Sequence, residues 1–218
     1  MGIKFSILFQ IPSWIQHLVH GVTWRGDKHN KCVYLTFDDG PVPEVTPQVL
    51  DILDKYHVKA TFFWVGENVY RYPDLAREVC RRGHTIGNHT FNHLPGWRTD
   101  YPIYRLNCQL CDEVIERTLG SMWNNRHLFR PPHGRQTPRQ KRWLLRNGYR
   151  IMLWDVITHD YNTVSYTPRR VLRIVRHYTR NGSIILFHDS KKSAPNTLEA
   201  LPKAIEWLLS QGYTFGTL

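Results

Sequence analysis

The sequence predicts an α/β fold in which a parallel sheet is covered by helices, either opened and doubly wound or closed into a barrel. Past Arg25, apolar β-rich runs alternate with amphipathic stretches of helix length. Gly83, Gly148, Gly182 and Gly212 each stand where a helix should stop before the next strand, the position in which glycine accepts a left-handed backbone. The polar residues that interrupt the apolar runs fall at strand ends rather than at random.

In order, a strand over 32–37 leads to a helix over 46–56, and a strand over 60–65 to a helix over 73–82. A strand over 84–87 precedes a long helix over 102–119, and one over 128–130 precedes a helix over 138–147. The run 149–157 reads as a single strand before a helix over 168–180. A strand over 183–187 then precedes a helix over 198–210, and 213–215 closes the series of seven strands. No internal repeat, low-complexity tract or linker breaks the pattern, so 31–218 reads as one domain preceded by an amino-terminal segment, 1–30.

A chain of 218 residues has length enough for one large domain with a buried core. Its 41% hydrophobic and 22% charged residues exclude a disordered chain. No apolar run approaches the roughly 20 residues of a membrane-spanning helix; even 5–24 is interrupted by Gln10, Pro12, Ser13, Gln16, His17 and His20, so no span is expected. The amino terminus has a single Lys, a short apolar run and no A-x-A-like cleavage site. The sequence leaves the location open: cytoplasmic for want of a clear signal peptide, or extracytoplasmic or membrane-peripheral. Phe5, Leu8, Phe9, Trp14 and Ile15 are expected to pack across the floor of the fold or to lie at a membrane interface.

The formal net charge of +11 favours anionic polymers or headgroups without naming a chemistry. No helix-turn-helix or aromatic RNA motif accompanies it, so specific nucleic-acid binding is not expected. Arg139, Lys141, Arg142 and Arg146 are spaced as a solvated helix face. Cys32, Cys80, Cys108 and Cys111 are scattered, and the CxxC of Cys108 and Cys111 has no second pair to complete a zinc site, so buried free thiols are expected.

The strand ends carry Asp38 and Asp39, His89 and His93, Arg130, Asp155 and Asp160, and His188. In a parallel barrel the carboxyl ends of all strands meet at one mouth, so residues distant in sequence converge there. The spacing of His89 and His93 puts two imidazoles on one face of a helical turn and suits a divalent ion, although such a pair alone is more often structural. With a carboxylate from Asp38 or Asp39 it makes the donor set of an open catalytic zinc site. Neighbouring strand residues point opposite ways, but a turn enforced by Gly40-Pro41 lets both carboxylates line one cavity.

Four ordered motifs, Thr36-Phe-Asp-Asp-Gly-Pro41, His89-Thr-Phe-Asn-His93, Arg130-Pro-Pro-His-Gly134 and Leu186-Phe-His188, resemble those of the polysaccharide deacetylases of carbohydrate esterase family four. The likeness runs from Cys32 to Leu218, with a weaker element over 155–161. It implies a distorted seven-stranded (β/α) barrel and a metal-dependent hydrolase that removes N-acetyl groups from N-acetylglucosamine-type residues of a polysaccharide or oligosaccharide. By the same resemblance Asp39, His89 and His93 hold Zn²⁺, or Co²⁺, Ni²⁺ or a similar divalent ion. Asp38 is the general base, Arg130 orients it and keeps it ionised, and His188 protonates the departing amine. The backbone N–H of His133, which stands where tyrosine is usual, serves the oxyanion. Leu186 and Tyr161 face the substrate, Tyr161 replacing the usual tryptophan as an aromatic wall. A carbohydrate is the expected partner, with an anionic cell-wall polymer or a lipid-linked sugar as candidates, and a monomer is the expected state.

The weaker element departs from the family pattern Asp-x-x-Asp-Trp. Aligning Asp160-Tyr161 with its end puts Ile157 at the first aspartate, the residue expected to polarise the acid histidine. Asp155, two residues earlier and on the same face of a regular strand, is the candidate substitute, or else a structural hydrogen-bond acceptor. Two rival readings are a lipid-linked sugar deformylase of the same superfamily and a catalytically inactive carbohydrate-binding barrel. Retention of base, metal set and acid argues against the second.

Overall fold

Residues 9–218 are described by the computed structural model, so Phe5 and Leu8 lie outside it. Strand β1 (Cys32–Asp38) has parallel neighbours on both sides, β2 (Thr61–Trp64) and β7 (Ile184–His188). It is buried from Leu35 to Asp38, as a strand covered on both faces must be. From β2 the sheet continues through β3 (Thr85–Asn88), β4 (Leu128–Phe129) and β5 (Arg150–Ile151); from β7 it continues to β6 (Val156–Ile157). Strand β8 (Thr214–Phe215) pairs with Cys32 and Val33, ahead of the stretch of β1 that β2 takes. Every ladder between these strands is parallel, and the sheet curls into the distorted barrel that the family resemblance implies.

Alternate side chains sort to the two faces. Phe37 and Phe62 stack at 5.0 Å, and Phe37 and Phe187 at 5.9 Å, in the outer core. Helices α2 (Thr46–Lys55), α4 (Pro73–Arg81), α5 (Tyr101–Leu119), α7 (Pro168–Tyr178) and α8 (Ala194–Ser210) bury their apolar stripes against that core. Phe63, Ile157, Leu186 and Trp154 point into the barrel instead. Helix α6 (Pro138–Arg146) starts with a capping box between Thr137 and Gln140 and leaves Arg139, Arg142 and Arg146 exposed, with Lys141 half-buried. All four cysteines are free thiols; Cys108 and Cys111 are buried on α5, whereas Cys32 and Cys80 are only half-buried. Among the described residues no helix is long and apolar enough to cross a membrane.

Three expected elements differ. A short helix α3 (Gly66–Arg71) follows β2, and α8 begins at Ala194 rather than 198. The expected strand over 149–157 is two strands, β5 and β6, at opposite edges of the sheet. The backbone between them is bonded elsewhere: the Met152 and Leu153 carbonyls accept from the Arg130 side chain, and the Leu153 N–H donates to the Thr23 carbonyl. The amino-terminal segment covers the resulting seam. Gln10 bridges Val156 in antiparallel fashion, and Thr23 bridges Met152. Ile11 and Ile15, the latter on α1 (Ser13–Leu18), are buried against Leu153, Trp154 and Ile184. Phe9 packs edge-on against His159 and Tyr166, while Trp14 and Leu18 face solvent. Two sheet edges that would otherwise present unpaired backbone are thereby closed without a continuous ladder.

Candidate active site

The chain leaves β1 through Asp39, whose φ of 83° is left-handed. That rotation ends the strict alternation of the strand, so Asp38 and Asp39 both line one cleft. Asp38 is paired in register with His188 on β7 and with Phe63 on β2. Behind the turn, Asp189 accepts from the Gly40 N–H at 3.0 Å and from the Thr46 hydroxyl at 2.6 Å, locking the end of β7 to the end of β1. A side chain at position 40 would place its Cβ 2.1 Å from the Asp189 carboxylate, so only glycine fits. Burial pushes Asp189 up to about 7 against those two donors.

His89 and His93 do not share a helical turn as their spacing suggests. They sit in an irregular loop after β3 in which Thr90 and His93 have φ of 65° and 54°. Polar side chains replace helical bonds: Asn88 Oδ1 accepts from the Thr90 N–H, Thr90 Oγ1 from the Leu94 N–H, and Asn107 Oδ1 from the Asn92 N–H. The rings end 5.0 Å apart, and His93 Nε2 and His89 Nε2 lie 3.4 and 3.8 Å from Asp39 Oδ1. Three donors bound at about 2.0–2.1 Å around a tetrahedral ion stand roughly 3.4 Å apart, so Asp39, His89 and His93 fit a divalent cation. The donor chemistry agrees. His89 Nδ1–H donates to the Arg130 carbonyl at 2.7 Å, which turns the Nε2 lone pair toward the other two donors. Burial holds both imidazoles below their ordinary pKa, neutral as ligands must be.

Arg130 follows β4 and is fully buried. Its guanidinium donates to Asp38 Oδ1 at 2.6 Å, to Thr36 Oγ1 at 2.9 Å and to the Leu153 carbonyl at 3.1 Å, and its Nε to the Met152 carbonyl at 3.2 Å. The Phe63 ring covers it at 4.0 Å. The orienting contact expected for Asp38 is therefore present. The expected net depression of the Asp38 pKa is not: burial raises it, outweighing the pull of Arg130 in the other direction.

His188 Nδ1–H donates to Asp160 Oδ1 at 2.8 Å, and the His188 backbone N–H to Asp160 Oδ2 at 2.7 Å. Thr197 Oγ1, in the first turns of α8, donates to the same oxygen at 2.7 Å. Burial works against a charged imidazole here, but the carboxylates of Asp160, Asp39 and Asp38 outweigh it and push His188 up to about 9. Asp160 thus fills the role assigned to position 157, and Asp155 does not replace it. The Asp155 carboxylate is bonded to Arg180, Gln16 and Ser183 at 2.6–3.0 Å, and its backbone N–H bonds Ile184, four residues before His188 on β7. Between Met152 and Asp155 the chain is not a regular strand, so the two-residue parity that suggested a shared face does not hold.

These groups surround a cleft of about 620 Å³. Trp154, Ile157, Leu186 and Tyr161 form its apolar wall, Tyr161 meeting His188 edge-on at 5.0 Å. His133 lies opposite, its ring 4.9 Å from His93, with φ of 58°. The next residue, Gly134, packs so closely that a Cβ would stand 2.4 Å from Trp154. Among the described residues the His133 N–H has no acceptor. Asp160, Asp189, Trp97, Arg98, Arg135, Trp154 and Lys192 were not assigned roles from sequence. Of these, Asp160, a strand-end residue, and Asp189, directly after His188, carried a local signal.

Residues 25–152 match the polysaccharide deacetylase family. The chain is 36% identical over 202 residues to a peptidoglycan-N-acetylglucosamine deacetylase of Bacillus cereus, covering 90% of this chain and 91% of that one. It is 32% identical over 218 residues to a chitooligosaccharide deacetylase of Azorhizobium caulinodans, covering 92% and 99%. It superposes on the crystal structure of the Bc1960 peptidoglycan N-acetylglucosamine deacetylase, bound to an N-hydroxybenzamide, with a TM-score of 0.86 and 31% identity over 95% of each chain.

Proposed function

The chain belongs to the polysaccharide deacetylase family, and from that premise we propose that it hydrolyses the acetamide of an N-acetylglucosamine-type residue within a glycan, in a reaction that depends on a divalent metal ion. Acetate leaves and the amino sugar remains. The observation that carries this reading is the register of β1 against β7, which sets Asp38 beside His188 at the strand ends that also hold Asp39, His89 and His93.

Asp38 takes a proton from the attacking water, and the burial that raises its pKa makes it a stronger base. Arg130 fixes the direction of its lone pairs. When bound by Asp39, His89 and His93, a divalent ion supplies Lewis acidity to the acetamide carbonyl and to the water. The His133 N–H donates to the carbonyl oxygen as negative charge develops there. His188, kept protonated by Asp160 and with Nε2 left for the cleft, donates to the departing nitrogen. Water thus yields its hydroxyl to the acyl carbon and a proton to Asp38, and the amine receives its proton from His188.

Acetate release from N-acetylchitotetraose and from a peptidoglycan glycan fragment, after chelation and after return of Zn²⁺ or Co²⁺, tests the reading together with elemental analysis. One ion per chain is expected, lost in H89A/H93A along with activity. Formate release from a lipid-linked N-formyl sugar, without acetate from either glycan, overturns it.

A further inference from the structure

Charge is segregated on the outside of the barrel. Between Arg117 and Glu199 the only carboxylates are Asp155, Asp160 and Asp189, all fully buried, so every exposed formal charge over that stretch is positive. The acids of α2, α3 and α4 are tied into ion pairs with Lys59 and neighbouring arginines. On α6 and α7, by contrast, Arg142, Arg146, Arg173 and Arg176 are exposed and enter no ion pair among the described residues. Glu206 of α8 shares a groove with Arg176, but its carboxylate accepts from the Tyr56 hydroxyl. Both α6 and α7 start at the carboxyl ends of strands and run back, so their last turns stand at the amino ends, the floor of the barrel. Helix α1 lies across that floor between them: the Arg180 guanidinium, just past α7, donates to Ser13 Oγ at 3.0 Å, and the Lys141 ammonium of α6 donates to the His20 carbonyl. Ile15 is buried under α1, whereas Trp14 and Leu18, one turn apart, are 61% and 68% exposed. Leu145 of α6 is also exposed and stands against the turn after α1, where a Cβ on Gly21 would lie 2.8 Å from it. Asp27, the exposed acid that follows in the sequence, accepts from the His29 N–H and the Asn30 side chain.

The floor therefore sets large apolar side chains between two banks of unpaired cations. A soluble polyanion would engage the cations and leave Trp14, Leu18 and Leu145 in water. A bilayer with anionic headgroups takes both: indole and leucine settle at the boundary of headgroup and acyl chain, and arginines meet the surface charge. We infer that this floor docks on an anionic phospholipid bilayer, with α1 lying in the interface, Trp14 and Leu18 inserted, and α6 and α7 supplying the attraction. The inference is independent of the deacetylase reading, and it adds an orientation. The cleft opens at the carboxyl ends of the strands, the end opposite the floor. A molecule seated this way faces Asp38 and His188 away from the lipid that holds it, toward a polymer lying beyond the surface. Two inserted side chains make a weak anchor, so docking is reversible, needs the apolar and the charged groups together, and falls as salt screens the arginines.

The test is flotation of the full chain with large unilamellar vesicles of phosphatidylcholine, alone or with about 30% phosphatidylglycerol. Partitioning is expected to be about tenfold greater on the anionic vesicles, to fall about tenfold in W14S/L18S and again about tenfold in R142Q/R146Q, and to be lost in about 0.5 M salt. W14S alone serves if the double variant does not fold. Phosphatidylcholine brominated in its acyl chains, mixed with phosphatidylglycerol, should quench wild-type tryptophan fluorescence, and Trp14→Leu should remove that quenching while keeping the binding. Acetate release from a soluble chitooligosaccharide should be the same in all of these variants. Equal partitioning on the two vesicles, or none on either, overturns the inference. Binding to anionic vesicles that is unchanged in W14S/L18S gives the surface to soluble polyanions and overturns it, as does a wild-type dimer that W14S/L18S turns into a monomer, which gives the surface to a second copy of the chain. None of these outcomes bears on the deacetylase reading, which stands or falls on acetate release.

Discussion

Asp155 and Asp160 flank the two-residue strand β6, are both fully buried, and are employed in opposite ways. At the amino end of the strand, Asp155 gathers Arg180, Gln16, Gln10 and Ser183, so its charge holds the amino-terminal segment and the loop before β7 onto the barrel floor. At the carboxyl end, Asp160 faces a histidine that opens onto the cleft. The two carboxylates differ little in burial. They differ in the end of the sheet they occupy and in what a neighbouring group can do with a proton: arginine keeps its own, and imidazole can give one away. In a parallel sheet the first position stabilises and the second reacts.

The largest effect that sharpens this contrast is expected from Asp160→Asn. Without the carboxylate His188 loses its polarising partner, and kcat/KM should fall by ~10²–10⁴ with the protein still folded. The pH dependence carries the sign. A histidine raised to about 9 is the competent acid below that pH, so wild-type activity should decline as pH rises through it. In Asp160→Asn the alkaline limb should move down toward the ordinary histidine range. The same limb measured in Asp155→Asn should not move; if it does, the two aspartates are not functionally separate.

Asp38→Asn should lower kcat by a similar ~10²–10⁴ with KM little altered. Because Arg130 acts on the reaction through Asp38, Arg130→Gln in the Asp38→Asn background should add little further rate loss, and effects that simply multiply would break the pairing. Asp155→Ala is expected to act on stability instead. It strands Arg180 and Arg25 beside a vacated buried site, and about 3–5 kcal/mol of unfolding free energy should be lost in a denaturant titration. Turnover per folded molecule should be retained. The smallest effect belongs to the far side of the same segment: Trp14, 61% exposed, should tolerate Trp14→Ser within ~0.5 kcal/mol.

What the sequence made legible follows from how local each signal is. Asp38, Asp39, His89, His93, Arg130 and His188 stand at the ends of apolar runs, and the structure brings all of them but Arg130 to line one cleft, with Arg130 bonded to Asp38 from behind. The role of Asp160 was hidden because it depends on a contact across 28 residues with His188, and counting along a motif placed it at Ile157. Of the two readings of Asp155, the structure gives the hydrogen-bond acceptor, and the substitute role rested on a parity rule that needs an unbroken strand. That strand is broken by Arg130, whose side chain claims the Met152 and Leu153 carbonyls from 22 and 23 residues away. No periodicity within 149–157 records such a demand. The histidine loop is a similar case: spacing located both imidazoles, but left-handed backbone at Thr90 and His93, held by Asn88 and Asn107, positions them rather than a helical turn.

The seam between β5 and β6 has a consequence for the order in which this protein takes shape. Gln10 and Thr23 leave the ribosome before their partners Val156 and Met152, which are made 146 and 129 residues later. Long-range pairings of this kind must wait for both halves of the chain and are slow to form. The Leu153 N–H that Thr23 captures belongs to the same residue whose carbonyl anchors Arg130, and Arg130 in turn aims Asp38. Closing the barrel and aiming its base therefore meet at one residue, Leu153, and neither is complete until the chain has been made at least that far.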